Sequence, residues 1–187
     1  LLDQDKWDEA EPHLREAIRI QPNLAVAHAG LGRIFAHRGQ LEQAAQEFEE
    51  AVNLDPLSSV YRLDLGKTYL ELQRYDRAGP IFRRLTELYP SAFEGYLNLG
   101  LACVGLDRLQ EAKAAFQKVT ELAPSSFSGH LNLGLVWMRL GQPQKAEAAV
   151  LHALRCAASE QDRLTIADVL QQLKKQEAML LKCLQNI

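Results

Sequence analysis

Several things are scarce in this 187-residue sequence, and each shortage excludes something. No run approaches 18 consecutive apolar residues, so no segment reads as a membrane span. There are three cysteines, Cys103, Cys156 and Cys183, with no Cys-x-x-Cys. An odd, widely spaced set argues against a disulfide framework or a zinc site. They read as small buried hydrophobes, which favours a reducing compartment such as the cytoplasm. Aromatic residues are 7% of the chain, and the formal net charge is -3. Few stacking platforms and no basic footprint exclude nucleic acid as a partner. Glycine (11) and proline (7) are too few for a collagen-like or low-complexity chain.

Catalytic signatures are also missing. There is no Gly-x-Gly-x-x-Gly, Walker loop, Gly-x-Ser-x-Gly or His-Glu-x-x-His. The histidines are His13, His28, His37, His130 and His152, and no two are four apart. No helix therefore presents a two-histidine metal face. The sequence calls for no metal and no cofactor, and it reads as non-enzymatic. It opens on Leu1 with no initiator methionine and no signal-peptide pattern, as a piece of something longer would.

What is present is a period of 34 residues. Prolines fall at Pro22, Pro56, Pro90 and Pro124, and Leu-Gly pairs end at Gly32, Gly66, Gly100 and Gly134. Ala10, Ala44, Ala78, Ala112 and Ala146 keep the same step, as do Phe48, Phe82 and Phe116. A glycine costs roughly 1 kcal/mol inside a helix. Its recurrence predicts a close helix–helix approach, with alanine and then phenylalanine filling the space from the second helix. The prolines end the second helices. Turns within units are expected near Gly39-Gln40, Gln73-Arg74, Leu106-Asp107 and Gly141-Gln142. Pro12 and Pro80 should sit in or near the first turn of helices starting around Asp8 and Asp76, where the missing N–H costs little.

These places resemble the tetratricopeptide repeat family, over about residues 1–158. The resemblance implies an all-α, right-handed superhelical solenoid of antiparallel helix pairs. We expect a partial unit at 1–24, complete units at 25–58, 59–92, 93–126 and 127–158, and a C-terminal helix at 159–187. The stripe Ile166, Leu170, Leu173, Leu180, Leu184, Ile187 suits a helix capping the array. Met179, Leu181 and Cys183 make its end more apolar than a cap needs, which leaves docking or self-association open.

In tetratricopeptide arrays the first helix of each unit lines the concave face. Carrying that over gives a candidate peptide-binding set: Arg33, Leu63, Asp64, Lys67, Leu97, Asn98, Leu101, Leu131, Asn132 and Leu135. Leu63, Leu97 and Leu131 share one repeat place, and Lys67, Leu101 and Leu135 another, an apolar track. Asp64, Asn98 and Asn132 form a column resembling the asparagine ladder of O-linked sugar transferases. Such amides either hold a peptide backbone or bond the neighbouring helix. Arg33 and Lys67 give one end a positive bias. The carboxylate clamp of chaperone-binding relatives is not expected, because its places hold Ala29, Arg33, Asp64, Glu94 and Asn98. The implied function is a scaffold binding a peptide or helix of another protein in the groove. The alternative is a substrate-recruiting or regulatory region of a larger enzyme, such as a sugar transferase. A further possibility is self-association through the open first unit or the last helix.

Overall fold

The computed structural model describes the backbone of residues 4–185 and the side chains of residues 6–175 and 178. It is all-α, with ten helices and no strand among the described residues. The chain divides into two compact units, Leu1–Pro90 and Ser91–Ile187. Unit 1 holds α1 (Gln4–Ile20), α2 (Ala25–His37), α3 (Leu41–Leu54), α4 (Ser59–Glu71) and α5 (Tyr75–Leu88). Unit 2 holds α6 (Phe93–Gly105), α7 (Leu109–Leu122), α8 (Phe127–Arg139), α9 (Pro143–Cys156) and α10 (Glu160–Gln185). The closest packing joins α2 to α3 and α4 to α5 in unit 1, and α6 to α7 and α8 to α9 in unit 2. Each unit is thus a stack of antiparallel helix pairs, the helical-solenoid arrangement.

The glycines allow the pairs to close. A Cβ on Gly66 would lie 2.5 Å from the Phe82 ring, and one on Gly100 would lie 2.5 Å from Phe116. Gly134 meets Val150 in the same way, at 2.6 Å. Such distances are far inside van der Waals contact, so no side chain fits there. The phenylalanines Phe48, Phe82 and Phe116 are fully enclosed.

The turn within each pair demands one left-handed residue. Gly39, Gln73, Asp107 and Gly141 have φ of 72°, 56°, 58° and 70°. Glycine reaches this region without strain, whereas the Cβ of Gln73 and Asp107 meets a carbonyl oxygen. Between pairs, the residue before each proline leaves the helix, as Asp55, Tyr89 and Ala123 do with φ near -130° (-131°, -131°, -134°). At Pro22, Pro56 and Pro124 the carbonyl is then held by the residue six places on. His28 Nε2 donates to Pro22 O at 3.0 Å, His130 Nε2 donates to Pro124 O at 2.8 Å, and Arg62 does the same to Pro56.

Two expectations need correction. Pro12 lies well inside α1, which starts at Gln4 rather than near Asp8, whereas Pro80 falls just past the first turn of α5, which starts at Tyr75. Pro80 is exposed, and the helix runs on at the loss of one backbone bond. Cys103 is buried, but Cys156 is only half-buried and its thiol faces Pro124 O. Cys183 lies outside the described side chains.

The last helix starts one residue early in the repeat. Three residues separate α9 from α10, where four separate α7 from α8. Ser159 accepts from Asp162 N at 3.0 Å, and the Asp162 carboxylate accepts from Ser159 N at 3.0 Å. This reciprocal capping box fixes the start of the helix and holds the Asp162 carboxyl below its ordinary pKa. Ile166, Val169 and Leu173 are buried against Ala146, Val150 and Ala153 of α9. Leu180, Leu184, Ile187, Met179 and Leu181 lie outside the described side chains. α10 is 26 residues long, whereas α8 turns back after 13.

Candidate functional site

In unit 2 the i, i+4 spacing puts Leu97 and Leu101 on one face of α6, and Leu131 and Leu135 on the matching face of α8. All four are half-buried. Leu97 and Leu101 rest on the cluster around Phe116, and Leu131 and Leu135 on the cluster around Ile166. Each therefore has one side in the core and a residual apolar surface outside.

The two amides are tied to their own helices. Asn98 Nδ2 donates to Glu94 O at 2.8 Å, and Asn132 Nδ2 donates to Ser128 O at 2.8 Å. This bond uses one of the two N–H groups of each amide. Among the described residues no donor meets Oδ1 of either amide. Asn98 is 8% exposed, so it sits deeper than a rim residue.

The column continues onto α10, which the sequence reading missed. With the register shifted to 33, Leu164 follows Leu131 and Thr165 follows Asn132. Leu164 is 54% exposed, and Thr165 Oγ1 donates to Gln161 O at 2.9 Å, the same bond to the preceding turn. The shorter loop before α10 hid the match.

The matching face of unit 1 has other chemistry. Arg33 and Asp64 form an ion pair at 2.9 Å, so the positive bias expected of Arg33 is largely cancelled. Lys67 is exposed and Leu63 half-buried. Val26 and Val60, one repeat apart, are 60% and 50% exposed. The structure thus brings Arg33 to Asp64 in unit 1, and sets the leucines beside the amides in unit 2.

Unit 1 also holds a cleft of about 650 Å³ between α3 and α5, floored by Leu65 and Tyr69 of α4. Tyr69 donates to Glu49, and Arg77 donates to the Tyr69 hydroxyl at 3.2 Å. Burial, and then the Glu49 bond, pushes the Tyr69 hydroxyl above its ordinary pKa. Nothing in the sequence pattern pointed to this cleft. Among the described residues no three His, Cys, Asp or Glu side chains gather as metal ligands, and no helix is long and apolar enough to cross a membrane.

Sequence profiles of the tetratricopeptide repeat match residues 63–126 and 104–162, and another profile of the same repeat matches residues 1–62. The chain belongs to the tetratricopeptide repeat family. Among solved structures, MamA from Desulfovibrio magneticus RS-1 is 24% identical with a TM-score of 0.76, covering 80% of this chain and 85% of that one. YrrB, described as a tetratricopeptide repeat protein with an unusual peptide-binding site, is 21% identical with a TM-score of 0.78, covering 88% of this chain and 84% of its own. At these identities the likeness is one of fold. No curated protein sequence matches the chain. As a tetratricopeptide repeat chain it is built as a protein-interaction scaffold, and its one basic clamp position, Arg33, is already paired with Asp64.

Proposed function

We propose that this chain is a non-enzymatic scaffold whose first-helix faces bind an extended segment of a partner protein. The core of the site is the unit 2 set Leu97, Asn98, Leu101, Leu131, Asn132 and Leu135. Unit 1 carries a set of its own, Arg33, Leu63, Asp64 and Lys67. The observation that carries this reading is the apolar column of half-buried leucines beside two amides with unmet oxygens. Apolar side chains of the segment cover the leucines, at about 25 cal/mol per Å² removed from water. The Oδ1 atoms of Asn98 and Asn132 accept backbone N–H groups, which reads the main chain rather than a particular sequence. A regular stack of helices offers such a face, whereas chemistry needs polar groups converging in a pocket.

The test starts from affinity capture with this chain, mapping the bound segment of the captured protein. That segment, as a synthetic peptide, is titrated into chain labelled at leucine methyls. The expected shifts fall on Leu97, Leu101, Leu131 and Leu135 and saturate together. Shifts confined to the second helices overturn the reading.

A further inference from the structure

The cleft in unit 1 is separate from the first-helix face, because its walls are the second helices α3 and α5. Its floor is apolar: Leu65 and Tyr69 are 2% and 3% exposed, with Val52 and Ile81 beside them. Its polar lining is dominated by acceptors, with Asn53 and Arg77 beside them. Glu49, Glu50 and Asp76 line it with three carboxylates, against the one guanidinium of Arg77. Pro80, also in the lining, has no N–H to give the carbonyl of Asp76 one turn earlier.

Arg77 shows what fits here. Its guanidinium lies over the Tyr69 ring at 5.6 Å and 3.8 Å from Glu49 Oε1. Yet its side chain is 57% exposed, so it occupies the edge of the cleft and leaves the rest open. The corresponding places of unit 2 reverse the charge. They hold Gln117, Lys118, Gln144 and Lys145 in place of Glu49, Glu50, Asp76 and Arg77. Lys113 and Lys145 both lie over Trp137 there, at 5.2 and 4.7 Å. The acidic rim is therefore particular to the unit 1 cleft and not a property of the repeat.

We propose that this cleft takes a lysine or arginine side chain of a partner segment, with its aliphatic stem on Leu65 and its charge among Glu49, Glu50 and Asp76. A basic side chain has this combination of an apolar body and a donor-only end. The volume lies within the range of small-ligand clefts and leaves room for an apolar neighbour beside the basic residue. Arg77 is the built-in competitor for the same carboxylates.

The test uses the full chain and two probes, acetyl-Leu-Arg-Leu-amide and its citrulline analogue, which keeps the shape and loses the charge. Binding is read by the methyl signals of Leu65 and Ile81. The arginine probe is expected to bind at least tenfold more tightly than the citrulline probe, and less tightly as salt rises. Glu50→Gln with Asp76→Asn, both exposed and isosteric, should weaken the arginine probe at least tenfold. Arg77→Ala should tighten it. Equal binding of the two probes, no shift at Leu65 and Ile81 at millimolar probe, or weaker binding by the Arg77→Ala variant overturns the proposal.

Discussion

The first-helix faces of the two units share one register and carry different chemistry. On α2 and α4, Arg33 meets Asp64 at 2.9 Å and Lys67 stands in solvent. On α6 and α8 the equivalent run is leucines, with Asn98 and Asn132 bound back to their own turns. Behind both faces the packing is the same: Gly66 against Phe82, and Gly100 against Phe116, each with no room for a Cβ. The repeat fixes the backbone through buried small residues and leaves the exposed face free to vary. One unit is charged and self-paired there, and the other is apolar with acceptors to spare.

The shared packing should break first and most severely. Gly100→Leu pushes a side chain into the Phe116 ring, and overpacking costs about 1–3 kcal/mol or more. Because repeat arrays couple mainly to nearest neighbours, hydrogen exchange should show the loss of protection centred on α6 and α7. Unchanged protection there contradicts the close-approach role of this glycine.

A moderate effect should come from the turns. Gln73 and Asp107 hold positive φ where Gly39 and Gly141 do so freely. Gln73→Gly relieves a left-handed strain of roughly 1–2 kcal/mol, offset by the greater freedom of glycine in the unfolded chain. A net gain of about 0.5–1 kcal/mol, seen as a Tm higher by about 1–4 °C, is expected. Gly39→Ala should act in the opposite direction. A lower Tm for Gln73→Gly means this turn is not strained.

The smallest effect concerns pH in unit 1. His28 bonds Glu47 at 2.8 Å and Pro22 O at 3.0 Å. Burial alone pulls its pKa down, but these two partners outweigh it and raise the pKa above the ordinary value. A raised pKa stabilises the fold below the unfolded value of about 6.5, and that contribution fades as pH rises through the folded value. The Tm difference between the wild type and His28→Gln should therefore be largest near pH 5 and shrink by pH 8. A difference that grows with pH contradicts this.

Most of the fold was legible because burial imposes strict spacing. The step from Gly32 to Gly66 to Gly100 to Gly134 reports a contact that only glycine permits, so it survives in the residue pattern. The site was legible only in part. The leucine column was readable as a column, but the sequence does not say that Asn98 would be 8% exposed or bonded to Glu94 O. Nor does it say that Arg33 would be paired with Asp64, since an ion pair between helices depends on rotamers rather than period. Leu164 and Thr165 were hidden by one missing loop residue before α10. Pro12 was misplaced because helix starts are weakly marked, and α1 begins at Gln4 rather than near Asp8.

The central claim is that the unit 2 face reads a partner's main chain through its amides. The most direct test is titration of the captured partner peptide against Asn98→Ala combined with Asn132→Ala, with melting curves alongside. Leaving peptide N–H groups dry and unpaired costs about 1–3 kcal/mol each, and 1.4 kcal/mol is a factor of ten. We expect binding at least tenfold weaker. The Tm should fall little, because a side-chain bond to the preceding turn contributes little to a helix. Normal binding with a much lower Tm would contradict the account and make the amides structural.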